Sequence, residues 1–361
     1  RDRLVRITIM VLERMRTCGH ESVTFVRDPE TGLEAIVAVH DTTLGPALGG
    51  TRILDYESEK QALTDVMRLA RGMTYKAAAA DLDLGGGKAV VLGDPAEVKN
   101  EELFRAYGRA VEDLNGNYIT AEDMNTEVAD MDIAAEETEY VVGTSDGYGD
   151  PSPVTAHGVL HGIRAALEWE YGDDSLDGVT VLVQGAGKVG RPLAEDLAAA
   201  GASVKVAEPN EETARRVKEE ADGDVTLVDP DDAVTESCDV FAPCAISHLG
   251  LGDAEKLREV IPDLQCDIVA GSANNVLGDH DESAELAKLL KEQDVLYAPD
   301  YVINAGGLIL VYHEWLETGR EEAYEDTEKI HDRLLRIFEQ AEDEDISTIE
   351  AANRYAEERF R

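Results

Sequence analysis

The sequence predicts a two-domain α/β protein, and three observations carry that expectation. Its 361 residues, 43% of them hydrophobic, suffice to bury two cores. From about Ser145 onward, short apolar runs alternate with helix-period segments, the pattern of a parallel sheet covered on both faces. Directly behind one of those runs stands Gly185-Ala-Gly-Lys-Val-Gly190, a glycine spacing that joins a strand to a helix.

Taken in order, Val23–Arg27 and Leu33–His40 read as strands joined by the turn residues Asp28-Pro-Glu-Thr-Gly32. Ser58 with Gln61 makes a capping-box pattern, and Ala62, Leu63, Val66, Met67, Ala70 and Met73 follow at helical spacing, so Lys76 falls at or just beyond a helix end. Three glycines precede Lys88, which opens the strand Ala89–Leu92. Asn100 can cap a helix carrying Leu103, Tyr107, Ala110, Val111 and Leu114, and Tyr118–Ala121 is a strand ending at Glu122-Asp123. Gly147–Pro153 is a hinge candidate before a helix over Val154–Tyr171. The strands Val179–Val183, Val204–Ala207, Val225–Val228, Asp239–Phe241, Asp267–Ala270 and Val295–Tyr297 alternate with helices, and Glu321–Arg361 is helical and acidic.

The charge narrows the classes of function. Against 33 basic residues stand 76 acidic ones, a net charge of -43 spread along the whole chain. Such a surface repels nucleic acid and anionic membranes, so neither is expected as a partner. It suits a cytoplasm of high salt, where screening removes the self-repulsion, and a halophilic, cytoplasmic protein is expected. Cys18, Cys238, Cys244 and Cys266 lack metal-ligand spacing and read as free thiols in a reducing compartment. The opening Arg1–Arg16 has only the short apolar run Ile7–Leu12 and no small-residue cleavage site, so it reads as an extension rather than a signal peptide.

Chemistry is suggested first by Lys76 and Lys88, two of only eleven lysines, set among alanines, glycines and a β-branched run. Burial disfavours the ammonium, lowers its pKa and makes a lysine an acid or base at working pH. Snorkelling to the surface, or pairing with Asp81 or Asp83, is the competing explanation. In the glycine loop, the turn and the helix N-terminus offer backbone donors for a pyrophosphate, and Glu208 at the next strand's end can accept from a ribose 2′-hydroxyl, which favours NAD over NADP. Asp123 lies past a strand end, as a catalytic carboxylate or as a helix cap near Thr126; Asn304 and Gly271–Asn275 likewise read as cap and loop or as site. His157 and His161 share a helical face without a third ligand in view, so they read as structural and no metal site is expected.

In their order along the chain, Gly45-Pro-Ala-Leu-Gly-Gly-Thr-Arg52, Met73–Lys76, Leu84–Lys88, Ile119–Thr126, Pro151–Thr155, the glycine loop, Phe241–Ala245, Gly271–Asn275 and Ala298–Gly307 resemble the glutamate/leucine/phenylalanine/valine dehydrogenase superfamily. The resemblance runs from about Gly19 to Phe360 and is strongest to the leucine-acting members. It implies a substrate domain of 1–147 plus a C-terminal helix at about 338–361, an NAD-binding Rossmann domain of 148–337, and an active site in the cleft between them. It further implies a homo-oligomer that carries out reversible NAD-dependent oxidative deamination of branched-chain L-amino acids to 2-oxo acids and ammonia. Lys76 would hold the substrate α-carboxylate, Lys88 would activate the water that attacks the imine, and Asp123 would exchange protons with the amino group and water. Gly185, Gly187, Lys188, Val189, Gly190, Glu208, Cys244 and Ala245 would bind NAD, with Thr155, Asn274 or Asn275, and Asn304 toward the nicotinamide and the substrate amine. Leu48 and Val311 stand where glutamate-specific relatives carry a lysine and a serine, and with Gly49, Ala121 and Leu308 they would make an apolar pocket. Leu308 exceeds the valine usual there, which leaves the preferred side-chain length open. The alternatives are a phenylalanine-acting member and a catalytically silent NAD- or amino-acid-binding regulator on the same fold.

Overall fold

The computed structural model describes residues 11–245, 254–278 and 280–361, so most of the opening extension and its apolar run lie outside the described residues. The described chain opens on a helical run over 11–18, α1. Two compact units follow: one reaches Gly149 and takes in Glu314–Glu317 and Ala356–Arg361, the other comprises Asp150–His313 and Thr318–Tyr355. Of the C-terminal segment 338–361 expected in the first unit, only the last six residues cluster with it.

In the first unit the strands β1 (Ser22–Asp28), β2 (Leu33–Asp41), β3 (Ala47–Leu54), β4 (Gly85–Leu92) and β5 (Tyr118–Glu122) form one sheet in the order β1-β2-β4-β3-β5. β1 and β2 are an antiparallel hairpin closed by Asp28–Gly32, while β3 runs parallel to both β4 and β5. The helix α2 (Glu59–Ala79) covers one face, burying Ala62, Leu63, Val66, Met67 and Ala70 against Ile36, Ala38 and Val90. On the other face, beyond the single turn α3 (Pro95–Val98), α4 (Glu101–Glu112) and α5 (Val128–Ala135) pack Leu103, Phe104, Tyr107 and Met131 on Val37, Ala89 and Val91. The strand alternation therefore splits β4: Val90 faces α2, and Ala89 and Val91 face away.

β3 was not expected as a strand, because Gly49-Gly50 depresses strand propensity. Packing explains the glycines. A Cβ at Gly49 would lie 1.8 Å from the Gly87 carbonyl oxygen, and one at Gly86 would lie 2.1 Å from the Thr74 backbone nitrogen on α2. The helix and two strands thus touch backbone to backbone. The three glycines also belong to β4 itself, so Lys88 sits mid-strand rather than at its start. The last residues of the chain are tied to this unit: Tyr75 donates to Glu357 at 2.6 Å, and Phe360 lies edge-on to Tyr75.

In the second unit β6 (Thr180–Gln184), β7 (Ser203–Ala207), β8 (Asp224–Val228), β9 (Val240–Pro243), β10 (Ile268–Val269) and β11 (Leu296–Tyr297) form an all-parallel sheet ordered β11-β10-β9-β6-β7-β8. The chain builds outward from β6 in one direction, returns, and builds outward from β9 in the other. This is the doubly wound arrangement, whose ligands gather beyond the carboxyl ends of the two strands at the reversal. Its helices are α6 (Ser152–Tyr171), α7 (Gly190–Ala199), α8 (Glu211–Glu220), α9 (Ala254–Val260), α10 (His280–Glu292), the single turn α11 (Asp300–Ile303), α13 (Arg320–Glu328) and α14 (Ile330–Asp343), together with all but the last residues of α12 (Gly306–Trp315) and α15 (Thr348–Phe360), which belong to the first unit. No described helix is long and apolar enough to cross a membrane.

Candidate active site

In the first unit the parallel register brings the candidates level. Leu48 pairs with Gly86 and Thr51 with Ala89, which places Lys88 beside Gly50, and Gly50 pairs on its other side with Ala121. A Cβ at Gly50 would come within 2.8 Å of the Asp123 Cβ, so this glycine leaves room for the carboxylate to cross β3. Lys88 Nζ stands 3.0 Å from Asp123 Oδ2. Lys76 occupies the last turn of α2, the helix on the sheet face to which Lys88 also projects.

Asp123 does not cap a helix. Glu127 holds that position for α5 with Asp130 in a capping box. Thr126 instead anchors the turn behind Asp123, accepting from its backbone N–H at 2.8 Å and donating to the Thr51 carbonyl at 2.8 Å. The freed carboxylate receives Lys88 and Arg52 Nε, the latter at 2.8 Å. Arg52 also reaches Asp65 at 3.2 Å, and Asp65 accepts from the Tyr56 hydroxyl at 2.8 Å. Arg52 and Asp65 were not picked out as site residues by sequence, although Arg52 closes the quoted Gly45–Arg52 segment.

Burial is the largest influence on both partners of the pair. It lowers the Lys88 pKa, and Arg52 adds to the fall while Asp123 opposes it. Burial pushes the Asp123 carboxyl up, but Lys88 and Arg52 outweigh it and hold the group at about 2. The ionised form of Asp123 therefore stabilises the fold above its unfolded value of 3.8, and that contribution is lost as pH falls through about 2. Compared with Asp123→Asn, the wild-type protein should gain about 2 kcal/mol near neutral pH, a margin that shrinks below about pH 4. Urea unfolding of both proteins at the two pH values checks this, and a difference that does not change with pH would contradict it.

The remaining pocket candidates divide between the units. Leu48, 2% exposed, and Ala121, 8% exposed, lie on β3 and β5, and the Gly49 carbonyl accepts from the Tyr118 hydroxyl at 2.6 Å. Leu308 is buried and Val311 half-buried on α12.

In the second unit the reversal point collects the cofactor candidates. Gly185 follows β6 with φ 90°, Cys244 and Ala245 follow β9, and the Cys244 N–H donates to the Gln184 carbonyl at 2.8 Å. A Cβ on Gly190 would meet the Gly185 carbonyl oxygen at 1.9 Å, which locks the loop over the start of α7. At Gly187 a Cβ would meet no atom of the described residues within 4 Å, so packing among them does not require that glycine. Lys188 is exposed and Val189 half-buried beside it. The Glu208 carboxylate, at the end of β7, accepts from the Ala186 N–H at 2.8 Å and from the Asn210 N–H at 2.9 Å. Gln184 Oε1 is buried with no hydrogen-bond partner among the described residues. An open backbone turn at a helix N-terminus, a carboxylate at the next strand end and an unsatisfied acceptor fit a dinucleotide.

Asn304 is 4% exposed and donates to the Ser272 carbonyl at 3.1 Å and to Asn274 Oδ1 at 2.9 Å. It closes the turn Asp300–Ile303 rather than starting α12. Asn275 is held at φ 51°. Thr155 lies in the first turn of α6 and donates to the Pro151 carbonyl at 3.0 Å.

Comparison with known proteins gives the same family over most of the chain. Residues 20–140 match the Glu/Leu/Phe/Val dehydrogenase dimerisation domain, and residues 203–360 match the Glutamate/Leucine/Phenylalanine/Valine dehydrogenase domain. A leucine dehydrogenase from Geobacillus stearothermophilus is 48% identical, covering 96% of this chain and 92% of that protein. A phenylalanine dehydrogenase from Lysinibacillus sphaericus is 46% identical over 94% of this chain and 88% of its own length. Among solved structures, the L-tryptophan dehydrogenase from Nostoc punctiforme superposes with a TM-score of 0.84 at 42% identity, covering 97% of this chain and 98% of its own.

Proposed function

The chain belongs to the glutamate/leucine/phenylalanine/valine dehydrogenase family and is an amino-acid dehydrogenase, and we propose that it catalyses the reversible NAD-dependent oxidative deamination of branched-chain L-amino acids. The observation that carries this reading is the buried Lys88–Asp123 pair at 3.0 Å. Deamination needs groups that exchange protons near neutral pH beside the reacting carbon. Bound NAD supplies the acceptor for the hydride that leaves the substrate Cα.

The chain's own residues do the rest. Lys76 meets the α-carboxylate as a cation. Asp123 takes a proton from the substrate amino group, and Lys88 takes one from the water as its oxygen bonds to the imine carbon. The proton held by Asp123 then returns to the nitrogen, and as the C–N bond breaks the remaining hydroxyl proton passes to the emptied Asp123 carboxylate, releasing ammonia and the 2-oxo acid. A carboxyl held at about 2 is by itself a poor proton acceptor, but Lys88 is one of the charges that hold it there. When Lys88 is neutral its share of that pull ends and only Arg52 opposes the burial that raises Asp123, so the two groups titrate as a unit. Arg52 positions the carboxylate through Nε.

Production of NADH and an equal amount of ammonia from L-leucine tests the reading; neither product at any salt concentration would overturn it. Glu208 should set the choice of cofactor, because its carboxylate repels a 2′-phosphate. The kcat/KM for NAD should exceed that for NADP by roughly 100-fold or more. Equal values would mean that Glu208 only holds the Ala186 and Asn210 N–H groups. The match to a dimerisation domain over residues 20–140 supports a homo-oligomer. The acidic composition supports a salt-rich cytoplasm as its location.

A further inference from the structure

The two histidines read from sequence as structural acquire a third group in the fold. His157 and His161 are one turn apart on α6, with ring centroids 4.6 Å apart and planes at 62°. Glu328, the last residue of α13, brings a carboxylate oxygen to them, and one ligand atom from each of the three residues lies within 4.8 Å of the other two. This third group was invisible in the sequence because it comes from another helix, more than 160 residues along the chain.

The close approach has a cause. Gly158 and Gly162 each follow one of the histidines, and a Cβ on Gly158 would come within 2.8 Å of Thr327 Cγ2 and Ile330 Cδ1. The small residues let the α13–α14 junction settle onto α6, and Thr327 carries Glu328 with it. His157 Nε2 is buried without a hydrogen bond among the described residues and stands 3.5 Å from Glu328 Oε1. Four-coordinate zinc with ligand bonds of about 2.0–2.1 Å keeps neighbouring donors about 3.4 Å apart, close to that spacing.

We propose that His157, His161 and Glu328 form a binding site for a first-row divalent cation, Zn²⁺ in the first instance, that clamps α6 to α13. Two histidines at i and i+4 on one helix face plus a carboxylate are a donor set suited to imidazole-preferring metals, and the exposed Glu328 leaves the site open to solvent for a water ligand. Because only the folded chain brings the three residues together, zinc raises thermal stability as well as binding.

The full chain, stripped with chelator and held in molar potassium chloride to suppress loose binding to its acidic surface, can be titrated calorimetrically with zinc sulfate. One equivalent should bind, the unfolding midpoint should rise, and Co²⁺ in its place should give the visible bands of a four-coordinate ion. His161→Gln should lose the bound equivalent and the rise in midpoint, and Glu328→Gln should weaken binding roughly tenfold or more. If His161→Gln does not fold, Glu328→Gln, at an exposed position, carries the test. Absence of stoichiometric binding would make His157 and Glu328 a simple polar pair, and unchanged binding in the variants would place the metal elsewhere; either result overturns the proposal. Neither bears on the dehydrogenase reading.

Discussion

Replacing Lys88 with alanine should lower kcat for L-leucine deamination by about 10²–10⁴, the usual contribution of a positioned acid or base. Lys88 is 5% exposed on a central strand, between a helix it faces and the carboxylate it contacts. The loss should fall on kcat, with NADH binding unchanged, because the glycine loop and Glu208 belong to the other unit. Removing the buried cation also leaves Asp123 with Arg52 alone, so the variant's Asp123 should titrate higher than in the wild type. Far-UV circular dichroism and NADH titration separate lost chemistry from lost fold. A folded variant with near-wild-type kcat would remove Lys88 from the mechanism.

Much of this arrangement was legible in the sequence, for identifiable reasons. The helices at Glu59 and Glu101 announce themselves through caps and apolar period, the helix at Ser152 through the Gly/Pro-rich hinge before it, and the second unit's strands through continuous β-branched runs. β3 was hidden because its glycines are required by neighbours on β4 and α2, which the local sequence does not contain. Arg52 was passed over as a site residue for the same reason, since its role depends on Asp65 and Asp123, 13 and 71 residues away. Local residues left Asp123 and Asn304 equally readable as caps, and only the capping box at Glu127 and the Asn274 contact distinguish the two.

Glutamate should be a very poor substrate. Leu48, Ala121, Leu308 and Val311, which we propose to face the substrate side chain, carry no group that can pair with a γ-carboxylate. Burying that charge unpaired costs roughly 3–5 kcal/mol, or between two and four powers of ten in rate. Leucine, valine and isoleucine differ by single methylenes, each worth ~1–3 kcal/mol, and should fall within about two powers of ten of one another. Relatives named for leucine and for phenylalanine are 48% and 46% identical to this chain, so overall identity does not choose between these substrates. If Leu308 lines the pocket as proposed, its bulk should leave less depth for a benzyl group than a valine would, which the substrate panel tests.

The most direct measurement of the proposed activity is kcat/KM for NADH formation with leucine, valine, isoleucine, phenylalanine and glutamate, taken side by side in molar potassium chloride. The three branched-chain substrates should lead, with phenylalanine behind them and glutamate lower by at least about 100-fold. A highest value for phenylalanine would show a deeper pocket and a phenylalanine-acting enzyme, and a highest value for glutamate would contradict the placement of Leu48 and Val311 at the substrate side chain.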